Sequence, residues 1–269
     1  MTGCSSGIGA YCARRLKSEG WRVFATARKP EDIEALEADG IEAFYLDYRE
    51  PESIDQLAEA VLARTGGRID ALFNNGAHGQ AGAVEDLPSD ALREQFEVAV
   101  VGWHALTRAL VPAMRRQGHG RIVHCSSILG LVPYPWRGAY NAAKHALEAL
   151  ALTMRMELSG SGIEVSLIEP GPIESRFTAT GLLYFRKYID AGPSVHREEY
   201  ERQIARLSSG GTKSRFKLGP DAVHAVLLKA LTASKPKPHY VVTTPARVAT
   251  VMKRLMPSAA FYDFMARQG

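Results

Sequence analysis

The sequence predicts an α/β fold in which a doubly wound parallel sheet carries helices on both faces. Short apolar runs alternate with longer amphipathic stretches along most of the 269 residues, a pattern typical of strands joined by crossover helices. A glycine-rich turn stands just before the first helical stretch. The length fits one large domain or two small ones. Because no repeat or low-complexity linker divides the chain, we expect a single domain over residues 1–269.

The apolar pattern places each element in order. Predicted strands cover residues 23–27, 43–46, 71–73, 121–125, 164–168 and 240–243. Predicted helices cover residues 10–18, 31–39, 51–65, 89–117, 140–158 and 221–232. The C-terminal stretch, residues 247–267, is amphipathic, and we expect it to cover either a substrate mouth or a neighbouring subunit.

The glycine-rich turn reads Thr2-Gly3-Cys4-Ser5-Ser6-Gly7-Ile8-Gly9. Glycines in such a turn let the backbone approach a pyrophosphate, whose charge is met by the amides that begin the next helix. Taken alone, the turn fits an ordinary loop equally well. A turn of this kind should follow a strand, yet only Met1 precedes Thr2. We therefore expect a truncated first strand between the strands at Val23 and Ala71, with the natural chain beginning about 5–6 residues upstream.

Residues 175–219 carry Gly, Ser, Arg and scattered aromatics without periodicity, which predicts an irregular substrate lid. Apolar side chains there and just before residue 140 predict a wall for a hydrophobic alcohol, ketone or aldehyde; they are Pro133, Tyr134, Pro135, Trp136, Phe177, Leu182, Leu183, Tyr184, Phe185, Tyr188, Ile189 and Phe216. Half of them could equally pack the lid onto the sheet. Four basic residues could meet an acidic substrate group, namely Arg176, Arg186, Lys187 and Arg197.

Composition narrows the class of protein. The net charge is only +4, and Lys and Arg are interleaved with Asp and Glu, which indicates a solvated surface and not a nucleic-acid interface. The three cysteines, Cys4, Cys12 and Cys125, have no metal-like spacing, so we expect no metal site, no disulfide and a reducing compartment. No apolar run reaches the roughly 18 residues of a membrane span, and no leader-like segment is visible. These features predict a cytoplasmic location.

Two residues spaced for proton transfer stand in the helix predicted over 140–158. Tyr140 and Lys144 are i and i+4 and share one helical face. A tyrosine is a poor base at neutral pH, but an adjacent ammonium favours its phenolate, and an acid/base works best when its pKa is near the working pH. Ser127 follows a predicted strand, where its hydroxyl could bond a substrate oxygen. A single Tyr-x-x-x-Lys spacing is often only a pair of surface residues on a helix. The catalytic interpretation of Tyr140 and Lys144 therefore depends on the other motifs of the chain.

Together these motifs resemble the short-chain dehydrogenase/reductase family in its single-domain Rossmann-fold branch. The match covers nearly the whole chain: the glycine turn, Asp47, Asn74-Asn75-Gly76-Ala77, Ser127, Tyr140 with Lys144, and Pro170-Gly171. Phe24-Ala25-Thr26-Ala27-Arg28 and Glu169-Pro170-Gly171-Pro172-Ile173-Glu174 are similar to bacterial members that resemble 17β-hydroxysteroid and retinol dehydrogenases.

The resemblance implies a role for each matching residue. Tyr140 would exchange a proton with the substrate oxygen, Ser127 would orient that oxygen, and Lys144 would lower the pKa of Tyr140 and hold the nicotinamide ribose. Asp47 would contact the adenine. Asn74 would shape the cofactor floor, and Ile173 with Ser175 would anchor the nicotinamide. The full set implied for the cofactor is Gly3, Ser5, Ser6, Gly7, Ile8, Gly9, Arg28, Asp47, Tyr48, Asn74, Gly76, Tyr140, Lys144, Pro170, Gly171, Ile173 and Ser175.

The end of the strand predicted over residues 23–27, which is the second strand once the truncated first strand is counted, favours NADP(H) over NAD(H). NAD-selective folds carry an acidic residue there for the ribose 2′-hydroxyl, whereas this chain reads Thr26-Ala27-Arg28-Lys29 with no carboxylate before Glu31. An arginine suits a 2′-phosphate, and Ser5 could add a contact. The alternative is that Arg28 and Lys29 merely face solvent.

Two departures from the family pattern stand out. Ala99 takes the place of an asparagine that in relatives supports a water-linked proton relay to the lysine, so Ala99→Asn should raise turnover; His124 or Asn141 could substitute, although a structural role fits each better. The order Asn-Asn-Gly-Ala at 74–77 replaces Asn-Asn-Ala-Gly, which moves by one position the residue able to take positive φ. His78 and Gln80 follow; they could border the mouth of the active site, but a solvated loop is the favoured interpretation.

The expected function is an NADP(H)-dependent oxidoreductase that interconverts a hydrophobic alcohol and its ketone or aldehyde, assembled as a homodimer or homotetramer through helices 103–117 and 140–158. The alternative is a non-catalytic or low-activity dinucleotide-binding protein, owing to Ala99. An epimerase or dehydratase usually needs a larger substrate domain, for which the chain has little room.

Overall fold

The computed structural model describes residues 1–208 and 216–268, without the side chains of 206–208. Its strands are Phe24–Ala27 (β1), Glu42–Tyr45 (β2), Ala71–Asn74 (β3), Gly120–Cys125 (β4), Ile163–Glu169 (β5) and His239–Val241 (β6). Its helices are Gly7–Ser18 (α1), Pro30–Ala38 (α2), Pro51–Arg64 (α3), Ser89–Phe96 (α4), Gly102–Gln117 (α5), Gly138–Glu157 (α6), Phe177–Tyr188 (α7), Arg197–Ser208 (α8), Asp221–Thr232 (α9), Thr244–Leu255 (α10) and Ser258–Ala266 (α11). The predicted strands and helices are confirmed to within a few residues.

All strand pairs are parallel, and they form two ladders. β1 pairs with β2, and the second ladder has the order β3-β4-β5-β6. Residues 1–4 lie between the ladders, where the sequence predicts the first strand. The Thr2 amide donates to the Phe73 carbonyl of β3 over 3.0 Å, and the Cys4 amide donates to the Thr26 carbonyl of β1 over 2.8 Å. These residues thus join both ladders, and the α/β fold class is confirmed.

Burial of the strands explains their composition. β1 is buried along its whole length, and β4 and β5 are buried at every position but one. Parallel strands covered on both faces read as near-continuous apolar runs, which is why the sequence pattern located them. Trp103, Ile122 and Leu167 are among the largest fully buried side chains of the core.

The long helix predicted over 89–117 is interrupted. Residues Glu97–Val101 form a π-helical turn between α4 and α5, and the fully buried Ala99 lies in this turn. Such wide turns occur frequently at functional sites. The sequence has helical periodicity on both sides of this π-helical turn, so the pattern alone could not reveal the interruption.

The segment 175–219 is more regular than the sequence predicts. It contains α7 and α8, and the prediction of an irregular segment is wrong for both; residues 209–215 lie outside the described residues. The two helices build a small second core from Phe185, Ile189 and Tyr200 with Ala83. Their apolar residues contact each other and the 81–87 loop, not one wide sheet face, which explains the weak periodicity.

No helix among residues 1–208 and 216–268 combines the length and hydropathy that a membrane span requires. The C-terminal helices α10 and α11 lie near the loop before α6, because Lys253 donates to the Leu131 carbonyl and Tyr134 donates to the Gln268 carbonyl.

Candidate active site

The glycine turn forms one wall of an open cleft with a volume near 200 Å³. Ser6 precedes α1 in an extended conformation, and its hydroxyl makes no cap on the helix within the described structure. A Cβ on Gly3, whose φ is +65°, would lie 2.3 Å from Gly76 Cα, and a Cβ on Gly9 would lie 2.1 Å from the Gly3 carbonyl oxygen. The close approach of these backbones requires glycine, and the uncapped amides of α1 suit an anion such as a pyrophosphate.

Most residues implied for the cofactor line this cleft. They are Gly3, Ser5, Ser6, Gly7, Ile8, Arg28, Asp47, Tyr48, Gly76 and Ser175. They come from the glycine turn, from the ends of β1 and β2, and from the segments after β3 and β5. In a parallel sheet the carboxyl ends of the strands meet at one edge, where α/β folds bind ligands. Motifs that follow different strands in the sequence are therefore brought together on one surface.

Seven residues implied for the cofactor lie outside the cleft lining. Tyr140 and Lys144 are described below, and each of the other five has a structural partner. Gly9 packs below Gly3. Asn74 is fully buried beneath the cleft. The Pro170 carbonyl accepts from the Ile128 amide over 3.0 Å, and Gly171 lies against Thr243. Ile173 packs on the main core, and its backbone bridges to Leu218.

Other residues line the cleft without belonging to the set implied for the cofactor. They are Thr26, Ala27, Leu46, Asn75, Ala77, His78, Val98, Arg176, Phe177, Thr180 and Tyr184. Thr26, Ala27 and Leu46 lie at or beside strand ends, and this position could have identified them as cleft residues. Phe177 and Tyr184 were expected in a substrate wall, and their place in the cofactor cleft depends on how α7 packs across it, which the local sequence does not signal.

The loop after β3 differs from its prediction. His78 and Gln80 are only 3% and 1% exposed, so the interpretation as a solvated loop is wrong. The His78 ring stacks on Tyr184 of α7 with centroids 3.6 Å apart. Gly76 is not among the positive-φ residues; a Cβ there would lie 3.1 Å from Gly3 Cα. The glycine at 76 thus serves close backbone approach, not an unusual φ.

Asp47 is held by a neighbour that the sequence reading did not single out. Its carboxylate accepts from Arg49 Nε over 2.9 and 3.1 Å. Burial raises the pKa of the Asp47 carboxyl, but the hydrogen bonds and charge of Arg49 outweigh it and keep that pKa below its usual value. The carboxylate is therefore ionised and oriented at the cleft.

The three residues predicted for proton transfer are brought together and buried. Tyr140 and Lys144 lie on α6 with relative exposures of 6% and 1%, and Ser127, just after β4, is 8% exposed. The Ser127 hydroxyl accepts from the Leu129 amide over 3.1 Å, which caps a short 3-10 turn. Lys144 Nζ donates to the Cys125 carbonyl over 2.9 Å.

Burial is the main influence on both titratable groups. It raises the pKa of the Tyr140 phenol, against which a hydrogen bond with the Ser127 hydroxyl acts. Burial also lowers the pKa of Lys144 to about 8. The ammonium lies 5.7 Å from the Tyr140 ring centroid, and the phenol is protonated at neutral pH in this structure.

A network of buried rings lies behind the lysine. Lys144 Nζ lies 4.2 Å from the centroid of the Trp103 ring, and Trp103 also stacks on His124 with centroids 5.9 Å apart. Asn74 Nδ2 lies 3.3 Å from His124 Nδ1 and donates to Thr107 over 3.1 Å. His124 is thus part of the packing that supports the cleft floor.

Asn141 also has a structural role. Its Nδ2 donates over 2.8 Å to the Tyr134 carbonyl in the loop before α6. This bond ties the start of the helix to the loop.

An apolar pocket of about 180 Å³ lies next to the cleft. Its walls come from α7, α8 and the loops near residues 80 and 136, and they are Gly79, Ala81, Gly82, Trp136, Arg137, Phe177, Thr178, Gly181, Leu182, Phe185, Tyr200, Gln203 and Ile204. Phe177 lines both cavities and contacts the Tyr140 ring edge-on, with centroids 5.3 Å apart. Tyr140 itself lines neither cavity, but its ring contacts the residue that the polar cleft and the apolar pocket share.

A glycine-lined anion cleft beside a buried serine, tyrosine and lysine defines a dinucleotide-dependent oxidoreductase on a doubly wound sheet. The model of the short chain dehydrogenase family matches residues 1–181. The chain belongs to this family.

Named relatives agree with this assignment. The chain is similar to "Uncharacterized oxidoreductase YbbO" of Escherichia coli K12, 40% identical over 257 residues, 96% of this chain and 89% of the relative. It is 30% identical to "NADPH-dependent 3-dehydrocapnine reductase" of Ornithobacterium rhinotracheale, over 97% and 90% of the two chains. A short chain dehydrogenase/reductase from Burkholderia phymatum, solved in complex with NAD, has a TM-score of 0.78 at 26% identity, over 94% of this chain and 91% of its own.

The prediction of an enzyme is confirmed: the chain is an oxidoreductase acting on CH–OH groups, and its relatives bind nicotinamide dinucleotides. The alternative of a non-catalytic dinucleotide-binding protein has no support among these relatives.

Proposed function

We propose that this protein interconverts a hydrophobic alcohol and its ketone or aldehyde with NADP(H), using Tyr140 as the acid/base. One observation carries the proposal. The ring of Tyr140 contacts Phe177, which lines both the glycine-turn cleft and the apolar pocket. Ser127 and Lys144 are buried like Tyr140. A dinucleotide and an apolar substrate would therefore meet at the phenol.

Each residue around the phenol has a different role in proton transfer. In the reductive direction Tyr140 donates its proton to the substrate oxygen, and in the oxidative direction it accepts that proton. The Ser127 hydroxyl orients the same oxygen, and its interaction with the phenol partly offsets the rise that burial causes in the pKa of Tyr140. Lys144 places a positive charge near the ring, which favours the phenolate formed during reduction. The nicotinamide, when bound, supplies or accepts the hydride.

The cleft fits a dinucleotide on this chain's own geometry. Gly3 and Gly9 leave no room for side chains where backbones approach closely, and α1 begins at the cleft with uncapped amides. The proposed cofactor set divides by position: ten of its residues line the cleft, whereas Asn74 supports the cleft floor from below. Tyr140 and Lys144 stand beside the cleft, where a nicotinamide and its ribose would reach them.

The choice of NADP(H) rests on Arg28. This exposed side chain lines the cleft at the end of β1, where its guanidinium can form charge-assisted hydrogen bonds with a 2′-phosphate. Its neighbour Lys29 instead pairs with Glu31, with N and O atoms 3.4 Å apart. The NADPH dependence named for the Ornithobacterium relative agrees with this choice.

The substrate class rests on the apolar pocket. Phe177, Leu182 and Phe185 contribute to its wall, and few ionic groups face it. Two basic residues considered for an acidic substrate are engaged elsewhere, because Lys187 pairs with Glu94 over 2.8 Å and Arg197 pairs with Glu201 over 3.0 Å. A neutral, apolar carbonyl compound fits better than an acid.

The test is NADPH oxidation against a panel of apolar ketones and aldehydes, with Tyr140→Phe beside the wild type. We expect the variant to lose activity by about 100-fold or more and to retain NADPH binding. Tyr262→Phe is the matched control, because this half-exposed tyrosine of α11 contacts Phe261 and lines neither cavity. Full activity in Tyr140→Phe would contradict the mechanism.

We also propose that the protein forms a homodimer or homotetramer and acts in the cytoplasm, with residues 175–219 as a lid over the substrate. All three cysteines are free and buried, as a reducing compartment allows. Val101 and Met156, beside α5 and on α6, are 48% and 70% exposed, which suits a subunit contact. Light scattering of the purified protein measures the oligomeric state.

A further inference from the structure

Two carboxylates and an imidazole converge where β5 pairs with β6. Glu148 comes from α6, Glu169 from the end of β5 and His239 from the start of β6. His239 Nδ1 lies 2.6 Å from Glu169 Oε1 and 3.6 Å from Glu148 Oε2, and the three donor atoms lie within 4.8 Å of one another. None of these residues takes part in the proton transfer proposed above.

The cluster is buried and incompletely satisfied. The side chain of Glu169 is 0% exposed and that of Glu148 is 7% exposed. Within the described residues neither Glu148 oxygen makes a hydrogen bond, and the neighbouring Ser126 hydroxyl is also without one. A Cβ on Gly130 would lie 2.8 Å from Ser126 Oγ and 3.1 Å from Glu148 Oε1, so these polar atoms share one small space. Buried carboxylates without partners are costly.

We propose that Glu148, Glu169 and His239 form a binding site for a first-row divalent transition metal ion such as Zn²⁺. One imidazole nitrogen and two carboxylate oxygens suit a borderline cation, with water completing four-coordination. A larger set of oxygens would be expected for Mg²⁺ or Ca²⁺. The ion would offset the charge of both carboxylates and give Glu148 a bonding partner in place of the hydrogen bonds that its oxygens lack, beside its ion pair of 3.6 Å with His239.

The surroundings favour a metal in three further ways. The Tyr240 amide donates to Glu169 Oε2 over 2.9 Å, which leaves Oε1 oriented toward the cluster as outer-shell bonds do in metal sites. The His239 side chain is 36% exposed, so an ion can enter from solvent. Ligand bonds of about 2.0–2.2 Å place tetrahedral ligands roughly 3.3 Å apart. The observed spacing of 2.6 and 3.6 Å brackets that value.

A bound ion would tie α6 to the edge of the sheet. Glu148 lies one helical turn beyond Lys144 on the same face of α6. The ion would therefore stabilise the folded state by binding to it and not to the unfolded chain. This effect does not depend on cofactor, substrate or turnover, so it can fail or succeed independently of the proposed function.

The test is thermal unfolding and calorimetric titration of chelator-treated protein with ZnCl₂ alone. We expect saturable binding and a midpoint that rises with zinc concentration, with weaker effects of MgCl₂. Glu148→Gln and the half-exposed His239→Asn should each weaken zinc binding by more than about tenfold. His119→Asn is the control, because this histidine pairs with the exposed Asp70 over 2.8 Å, away from the cluster.

Three results would overturn the site: no saturable zinc binding, equal zinc affinity in the wild type and His239→Asn, or tighter binding of magnesium than of zinc. If Glu148→Gln fails to fold, His239→Asn alone decides.

Discussion

Lys144 Nζ lies 4.2 Å above the Trp103 ring and 2.9 Å from the Cys125 carbonyl oxygen. Trp103 is fully buried, and its indole N–H donates to the Gly76 carbonyl over 3.0 Å. One ring thus contacts the lysine and holds the loop that lines the cofactor cleft. Burial lowers the pKa of Lys144 to about 8, and the ring face opposes that effect because it attracts the ammonium.

We predict that Trp103→Leu shifts the alkaline limb of the pH–activity profile to lower pH. Loss of a desolvated cation–π contact of about 1–2 kcal/mol corresponds to a pKa decrease of about one unit for Lys144. The measurement is kcat/KM for ketone reduction from pH 6 to about 9.5. Trp103→Phe keeps a ring and should shift the limb less.

Trp21→Leu serves as the control, because Trp21 is a partly buried tryptophan packed on the main core near β1. It should alter thermal stability without moving the pH profile. Identical profiles for Trp103→Leu and the wild type would show that the ring only fills space.

Ala99→Asn tests the relay that the family pattern expects. From the sequence we expect a gain in turnover, but Ala99 is fully buried in the π-helical turn. An amide without partners there costs about 1–3 kcal/mol. We now expect lower stability, measured by urea unfolding, and no gain in kcat. A rise in kcat would instead confirm the gain in turnover expected from the sequence, and it would show that water reaches Lys144. Ala99→Ser, a smaller polar change, is the control for packing.

The limits of prediction differ between sheet and site. Strands such as β4 were predictable because burial on both faces of the sheet requires a run of apolar residues in the sequence. The pair of Tyr140 and Lys144 was predictable because its spacing of four residues is local. The sequence predicted Phe177 of α7 in a substrate wall, but neither its place in the cofactor cleft nor the Trp103 ring behind the lysine was predictable. Trp103 and Phe177 reach the site through packing between distant segments, and a single sequence carries no periodic signal for such contacts.

Arg28→Ala should reduce the preference for NADPH. If the guanidinium binds a 2′-phosphate, its loss removes charge-assisted hydrogen bonds of about 1.5–3 kcal/mol, so KM for NADPH should rise about tenfold or more while KM for NADH changes little. Lys29→Ala is a matched control, because Lys29 pairs with Glu31 and does not line the cleft. A protein that prefers NADH before and after the change would refute the assignment.

His78 should make stability fall as the solution is acidified. Burial, with help from the charges of Arg28, Arg49 and Lys187, lowers the pKa of His78 to about 4, whereas an unfolded histidine titrates near 6.5. Between these values the unfolded chain binds a proton that the folded chain does not. Stability is therefore complete above about pH 6.5 and is lost as the pH falls toward 4.

His78→Phe keeps a ring against Tyr184 and removes the titration. At pH 5 the histidine should destabilise the wild type by about 2 kcal/mol relative to pH 7, and the variant should lack that loss. Urea unfolding of both proteins at the two pH values measures the difference. Buried His124, whose pKa is lowered to about 3, contributes equally to both proteins and cancels. An equal loss of stability on acidification in both proteins would mean that His78 is open to protonation in the folded state.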